Sequence, residues 1–166
     1  MAASTDGRIA VADGADEYRI RVFARDGTWR DVVRELPRPR YSASEIAEIE
    51  RRRARGNALR QAEGKKAGVS GAPSAPPRLP EFKPHVYWGG LRFDPAGRLW
   101  VFTGRGGESS SVLDVFDRSL RYLGEVRIPV SSRTISFGGS FAVTSEENED
   151  GIPTVTLWRV RAPGSP

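Results

Sequence analysis

The sequence predicts an all-β fold made of short antiparallel sheets that recur along the chain and are interrupted once by a helix. Three observations carry that expectation. Apolar residues alternate on a two-residue period: Leu99 and Val101, then Leu113 and Val115, then Tyr122, Gly124, Val126 and Ile128. Arg98, Asp114, Arg121, Glu125 and Arg127 take the opposite parity, so each strand is expected to have one buried face and one wet face. Turn sequences separate these runs: Asp94-Pro95-Ala96-Gly97 fixes φ at the proline and frees it at the glycine, and Gly104, Gly106 and Gly107 are expected to supply the positive φ values of a hairpin loop.

The third observation is repetition. A slide of 42 residues sets Leu99-Trp100-Val101 over Phe141-Ala142-Val143, Val115-Phe116 over Leu157-Trp158, and Gly97 over Gly139. Upstream, Gly7-Arg8-Ile9-Ala10-Val11 matches Gly97-Arg98-Leu99-Trp100-Val101, and the run from Ile20 to Gly27 matches the run from Leu113 to Leu120. A period of about 40–50 residues made of short strands is the mark of propeller blades, whose sheets must stack on neighbours to hide both faces. The expected architecture is therefore about three propeller-like, four-stranded antiparallel blades with one helical insert.

Taken in order, the first blade spans residues 1–36, with a clipped innermost strand before Asp6-Gly7 and strands near 8–12, 18–24 and 29–35. Asp13-Gly14 and Asp26-Gly27 turn the chain between them. Pro37 and Pro39 cannot donate to a ladder and end the pairing. Residues 37–84 then form an insert, with a helix over about 43–62. Ser42 with Glu45 three positions on is a capping-box pattern, while Gly56-Asn57 is expected to interrupt the helix. Residues 64–80 are rich in Gly, Ala, Ser and Pro and read as a polyproline-like or flexible connector. The second blade covers 85–129 and the third, three-stranded, 130–161, leaving a tail at 162–166. The third needs its outer strand from elsewhere.

Composition narrows the classes. The 166 residues include 15 aromatics, enough for a globular core, and no apolar run approaches the 18 or so residues of a membrane-spanning helix. With no cysteine, disulfides and thiolate metal sites are excluded. The amino terminus shows neither a basic start nor an apolar core of the secretory kind, so no signal peptide is visible in this chain. The net charge of +5 is concentrated: residues 37–66 hold nine basic and four acidic side chains, which accounts for all of it.

Few residues suggest chemistry. His85 is the only histidine, and a position just after Pro84 at a strand start favours a structural role over a base or metal ligand. The acidic run from Glu146 to Gly151 lacks the alternating ligands of a calcium loop, and Gly104 to Ser110 lacks the lysine and following helix of a phosphate cradle. Trp29, Trp88, Trp100 and Trp158 lie on strands, where packing between sheets explains them best. No cofactor, metal site or catalytic constellation is expected. The candidate partner-binding residues are Arg51, Arg52, Arg53 and Arg55 on the helix and Arg105 in the glycine-rich loop. Such a cluster suits an acidic surface or phosphates, although no aromatic is interleaved to stack on bases.

The turn Asp94-Pro95-Ala96-Gly97-Arg98-Leu99-Trp100-Val101, the lead Pro37-Arg38-Pro39-Arg40-Tyr41 into a charged helix, and the closing stretch from Asp150 to Val160 together resemble the carboxy-terminal half of bacterial six-bladed β-propeller proteins related to the NHL-repeat group. The resemblance implies a partial six-bladed propeller, a parent protein that is exported, and use as an interaction scaffold. The leading functional expectation is thus a non-enzymatic scaffold that binds a protein, peptide or glycan. The alternatives are a metal-dependent propeller hydrolase or lactonase, and a nucleic-acid module acting through the basic insert. Three blades also predict either self-association or further blades upstream.

Overall fold

The computed structural model describes residues 1–13, 16–66, 79–107, 110–129, 135–138, 141–147 and 152–159. The expected tail at 162–166, most of the connector, and the tips of the loops at 104–110 and 146–151 lie outside them. The chain divides into two compact units, Met1–Pro39 with Lys83–Pro166, and Arg40–Phe82.

The first unit holds three antiparallel sheets. Sheet 1 runs in the order β1 (Ala2–Ala3), β2 (Ile9–Ala12), β3 (Tyr18–Phe23) and β4 (Trp29–Arg34). Sheet 2 repeats that order with β5 (Val86–Phe93), β6 (Leu99–Gly107), β7 (Ser110–Phe116) and β8 (Tyr122–Ile128). Sheet 3 has β9 (Ile135–Gly138), β10 (Phe141–Glu147) and β11 (Pro153–Arg159), three strands among the described residues.

Four of the hairpin turns are the same object. In each, the amide of a first residue donates to the carbonyl four residues on, and the fourth residue's amide donates back to the first carbonyl: Ser4 to Arg8, Ala24 to Thr28, Asp94 to Arg98 and Asp117 to Arg121. This is a type I turn closed by a bulge residue that must take positive φ. Gly7, Gly27 and Gly97 do so at +85°, +83° and +76°, and Leu120 does so at +65° as the one non-glycine. Asp94 and Asp117 cap their turns identically, one carboxylate oxygen accepting the backbone amide of Arg98 or Arg121 and the other accepting that arginine's Nε. Asp94 is buried and also accepts Trp100 Nε1 at 2.9 Å, so it fixes the largest core side chain as well as the turn.

Sheet 2 is covered on both faces, which corrects the expectation of one wet face. Leu99, Val101 and Phe116 pack with Ala10, Ile20, Val22 and Val32 of sheet 1. Trp100, Phe102, Leu113 and Val115 pack with Ile135 and Ala142 of sheet 3, Trp100 lying 4.9 Å from the Phe137 ring. Alternation misleads here because the residues of opposite parity, Trp100, Phe102 and Asp114 among them, are themselves buried.

Sheet 3 corrects the repeat. Leu99 pairs with Phe116, and Ala142 pairs with Trp158. If Phe116 corresponds to Trp158, then Leu99 corresponds to Ala142, so the slide is 42 on β11 and 43 on β10. One residue exchanges the faces of a strand, and it is Ala142 that packs inward while Phe141 and Val143 are exposed.

The glycines of β6 are a further correction. Gly104, Gly106 and Gly107 belong to the strand, and none takes positive φ. Gly104 is required by proximity: a Cβ there would sit 2.2 Å from the Pro84 carbonyl and 2.9 Å from Lys83 Cβ.

In the second unit, α1 (Ala43–Lys66) forms a continuous helix through Gly56-Asn57, without the expected interruption. Its capping box is reciprocal, Ser42 N donating to Glu45 Oε2 at 2.8 Å and Glu45 N to Ser42 Oγ at 3.1 Å. The unit is closed at its base by an Arg40–Phe82 bridge, with the Arg40 guanidinium 5.1 Å from the Phe82 ring centre and 3.2 Å from Glu81.

Candidate ligand-binding site

The edge strand β5 of the middle sheet carries a bulge. Val86 lies opposite Thr103 and Leu91 opposite Val101, so the four residues 87–90 of β5 face Phe102 alone. The extra chain is accommodated by two glycines. Gly89 takes a φ of +69°, and a Cβ on Gly90 would lie 2.8 Å from the Tyr87 carbonyl and 3.0 Å from Phe102 Cβ.

At the tip of the bulge stands Trp88, whose relative exposure is 102%. Its neighbour Tyr87 packs against the core between sheets 2 and 3, so the backbone beneath the indole is anchored. Arg92 braces the tip: Nη1 donates to the Gly89 carbonyl at 2.6 Å and the Leu91 carbonyl at 2.7 Å, and Nε donates to the Ile135 carbonyl of β9 at 3.2 Å. An indole presented in this way offers a flat apolar face and an N–H donor, which suits a pyranose ring, a proline or aromatic side chain, or a cation.

This overturns the sequence-based reading of Trp88 as a packing residue. Trp100 and Trp158 do pack between sheets, Trp158 also donating to Thr144 Oγ1 at 2.8 Å, and Trp29 lies on the outer face of sheet 1 under Arg21. A signal for Trp88 was present in Trp88-Gly89-Gly90. Paired glycines inside a strand run mark a bulge, and the residue before them becomes its apex.

The residues expected to bind a partner fall in two places. Arg51, Arg52, Arg53 and Arg55 lie on α1, where Arg51 and Arg52 both reach the Glu48 carboxylate, at 2.8 and 2.7 Å. The Arg52 hydrogen bond, with the Arg51 and Arg52 charges, holds Glu48 below its usual range.

Arg105 belongs to the other unit and is engaged inside it. Its guanidinium pairs with the fully buried Asp114 and, at 3.0 Å, with Glu125. Asp114 also meets Arg34 of β4 at 2.8 Å and accepts the Tyr122 hydroxyl at 3.2 Å, while Arg34 lies 3.9 Å from the Tyr122 ring centre. Burial, then the Asp114 charge, pushes the Tyr18 and Tyr122 hydroxyls above their ordinary range, so both stay protonated. The cluster is thus a polar seam between sheets 1 and 2 with its charges opposed in pairs.

His85 is buried, and that burial together with the nearby Arg38 cation holds its imidazole below the ordinary 6.5, favouring the neutral ring. A shallow groove of about 370 Å³ lies at the turn end of sheets 1 and 2, where Asp6 receives both Arg8 and Arg118 at 3.0 Å. Among the described residues no group of three or more acidic or histidine side chains is placed to hold a metal.

Comparison with known proteins finds no family model, curated protein or solved structure that matches this chain.

Proposed function

We propose that this chain is a non-enzymatic scaffold of the β-propeller type that binds a peptide, protein or glycan. One observation carries the reading: an indole wholly in solvent, on a braced bulge of the edge strand β5 of the doubly covered sheet. A large apolar side chain held out of every packing surface contributes nothing to folding, whereas the same geometry preorganises a stacking contact. The stacking of four-stranded sheets in one repeated order supports the blade architecture, and neutral tyrosine hydroxyls with paired arginines suit structure better than proton transfer.

The test is a panel of glycans and peptides probed with the wild type and with Trp88→Ala. The expected result is a ligand whose binding falls at least about tenfold in the variant, with an unchanged melting temperature because the indole buries nothing. Equal binding by both proteins removes Trp88 from the site. A chelator-sensitive turnover in a hydrolase substrate panel, with no retained ligand, overturns the scaffold in favour of an enzyme.

A further inference from the structure

Sheets 1 and 2 each end in an outer strand, β4 and β8, whereas β11 of sheet 3 has a partner on one side alone among the described residues. The consequence shows in burial. The equivalent strand β3 of the other end sheet, flanked by β4, buries Tyr18, Ile20 and Val22; β11 buries none, and Val155 and Leu157 are 66% and 63% exposed.

The existing outer edges are defended against further pairing. Arg30, Asp31 and Arg34 stud β4, while Glu125, Arg127 and a register shift at Gly124, with φ +141°, blunt β8. β11 reads Pro-Thr-Val-Thr-Leu-Trp-Arg, without a charge before Arg159 and with no break in its register against β10. It has the character of an inner strand that is left at an edge.

The molecule itself specifies what fits there. In sheet 1, Trp29 lies opposite Phe23 and Val32 opposite Ile20; in sheet 2, Tyr122 lies opposite Phe116 and Val126 opposite Leu113. Both outer strands therefore place an aromatic against the aromatic of the inner strand and a valine against its aliphatic residue, with an acidic side chain, Asp31 or Glu125, just before the valine. The corresponding positions on β11 are Trp158 and Val155.

We propose that β11 is a strand-addition site that takes an extended peptide segment of another polypeptide, antiparallel to it, with an aromatic residue opposite Trp158 and a valine opposite Val155. Backbone hydrogen bonds supply affinity and the two alternating side chains supply the register. Occupation completes sheet 3 as a four-stranded sheet. The site is separate from Trp88 and does not depend on the ligand-binding reading.

The test adds a synthetic peptide copying residues 28–35, in which Trp29 and Val32 stand three apart as Trp158 and Val155 do, to the full chain, and reads binding by fluorescence anisotropy and amide exchange by mass spectrometry. The expected result is saturable binding, with slowed exchange in β11 and unchanged exchange in β4 and β8. A peptide with proline at the position of Val32 should bind at least about tenfold more weakly, as should wild-type peptide to the Val155→Asp chain. That position is exposed, so the substitution leaves the fold intact; a melting temperature matching wild type verifies this, and Leu157→Asp serves in its place otherwise. No binding at millimolar peptide, protection elsewhere than β11, or dimerisation of the chain that itself protects β11 each overturns the proposal.

Discussion

At the scale of single residues, the fold places ionisable groups where their partners are already fixed. Asp94 shows the logic: a carboxylate taken out of water is tolerable because an amide, a guanidinium and an indole N–H all donate to it. His85 is the contrasting case, a buried ring held neutral. Its folded-state pKa lies below the unfolded 6.5, so the unfolded chain binds a proton more readily as the pH falls. The stability it permits is complete above 6.5, declines as the pH drops from there toward the folded pKa, and levels off once both states are protonated. Urea unfolding followed across that window should show this decline in the wild type and a flatter profile in His85→Gln.

At the scale of elements, four turns of one kind set the hairpins, and they offer a graded test of backbone strain. Gly27 sits at φ +83° with nothing within 4 Å of a Cβ, so Gly27→Ala isolates the cost of the left-handed conformation, about 1–2 kcal/mol. Gly97→Ala should cost more, since its Cβ would fall 2.7 Å from Arg8 Nη2, which donates to the Gly97 carbonyl at 2.8 Å. Leu120 already bears the strain while packing against the core between sheets 1 and 2. Leu120→Gly should therefore relieve about 1–2 kcal/mol of backbone strain and lose a comparable amount of burial, leaving a net change smaller than that of Gly97→Ala. Denaturant midpoints for the three variants check the order. This equivalence was legible beforehand, because the internal match of residues 20–27 with 113–120 lays Gly27 on Leu120.

At the scale of the whole molecule, the middle sheet is the packing core of the first unit and the end sheets are its cover. Trp100, Phe102, Leu113 and Val115 are closed in on one side, and Leu99, Val101 and Phe116 on the other. Local opening should follow that hierarchy. Native-state amide exchange is expected to be slowest in β6 and β7 and fastest in β11, whose side chains are the most exposed of the long strands. Slow exchange spread evenly over the three sheets would contradict it. Truncating Trp100 to alanine should cost about 3–5 kcal/mol, because it empties the contact between sheets 2 and 3.

The sequence by itself determined what depends on neighbours along the chain. Strand positions, the Asp26-Gly27 turn, the capping box at Ser42 and Glu45, and the prolines that close the first sheet are local, and these elements formed where the signals stood, while Gly14 of the other expected turn lies outside the described residues. Tertiary structure alone decided what depends on the second face of each sheet. Asp114 reads as a solvated residue until Arg34 and Arg105 arrive from other strands, and the glycines of β6 read as a loop until Pro84 is seen beside Gly104. Trp88 reads as core until the extra residues of β5 turn it outward. A pleat fixes which residues share a face, but what covers that face comes from distant chain, and no period within a strand records it.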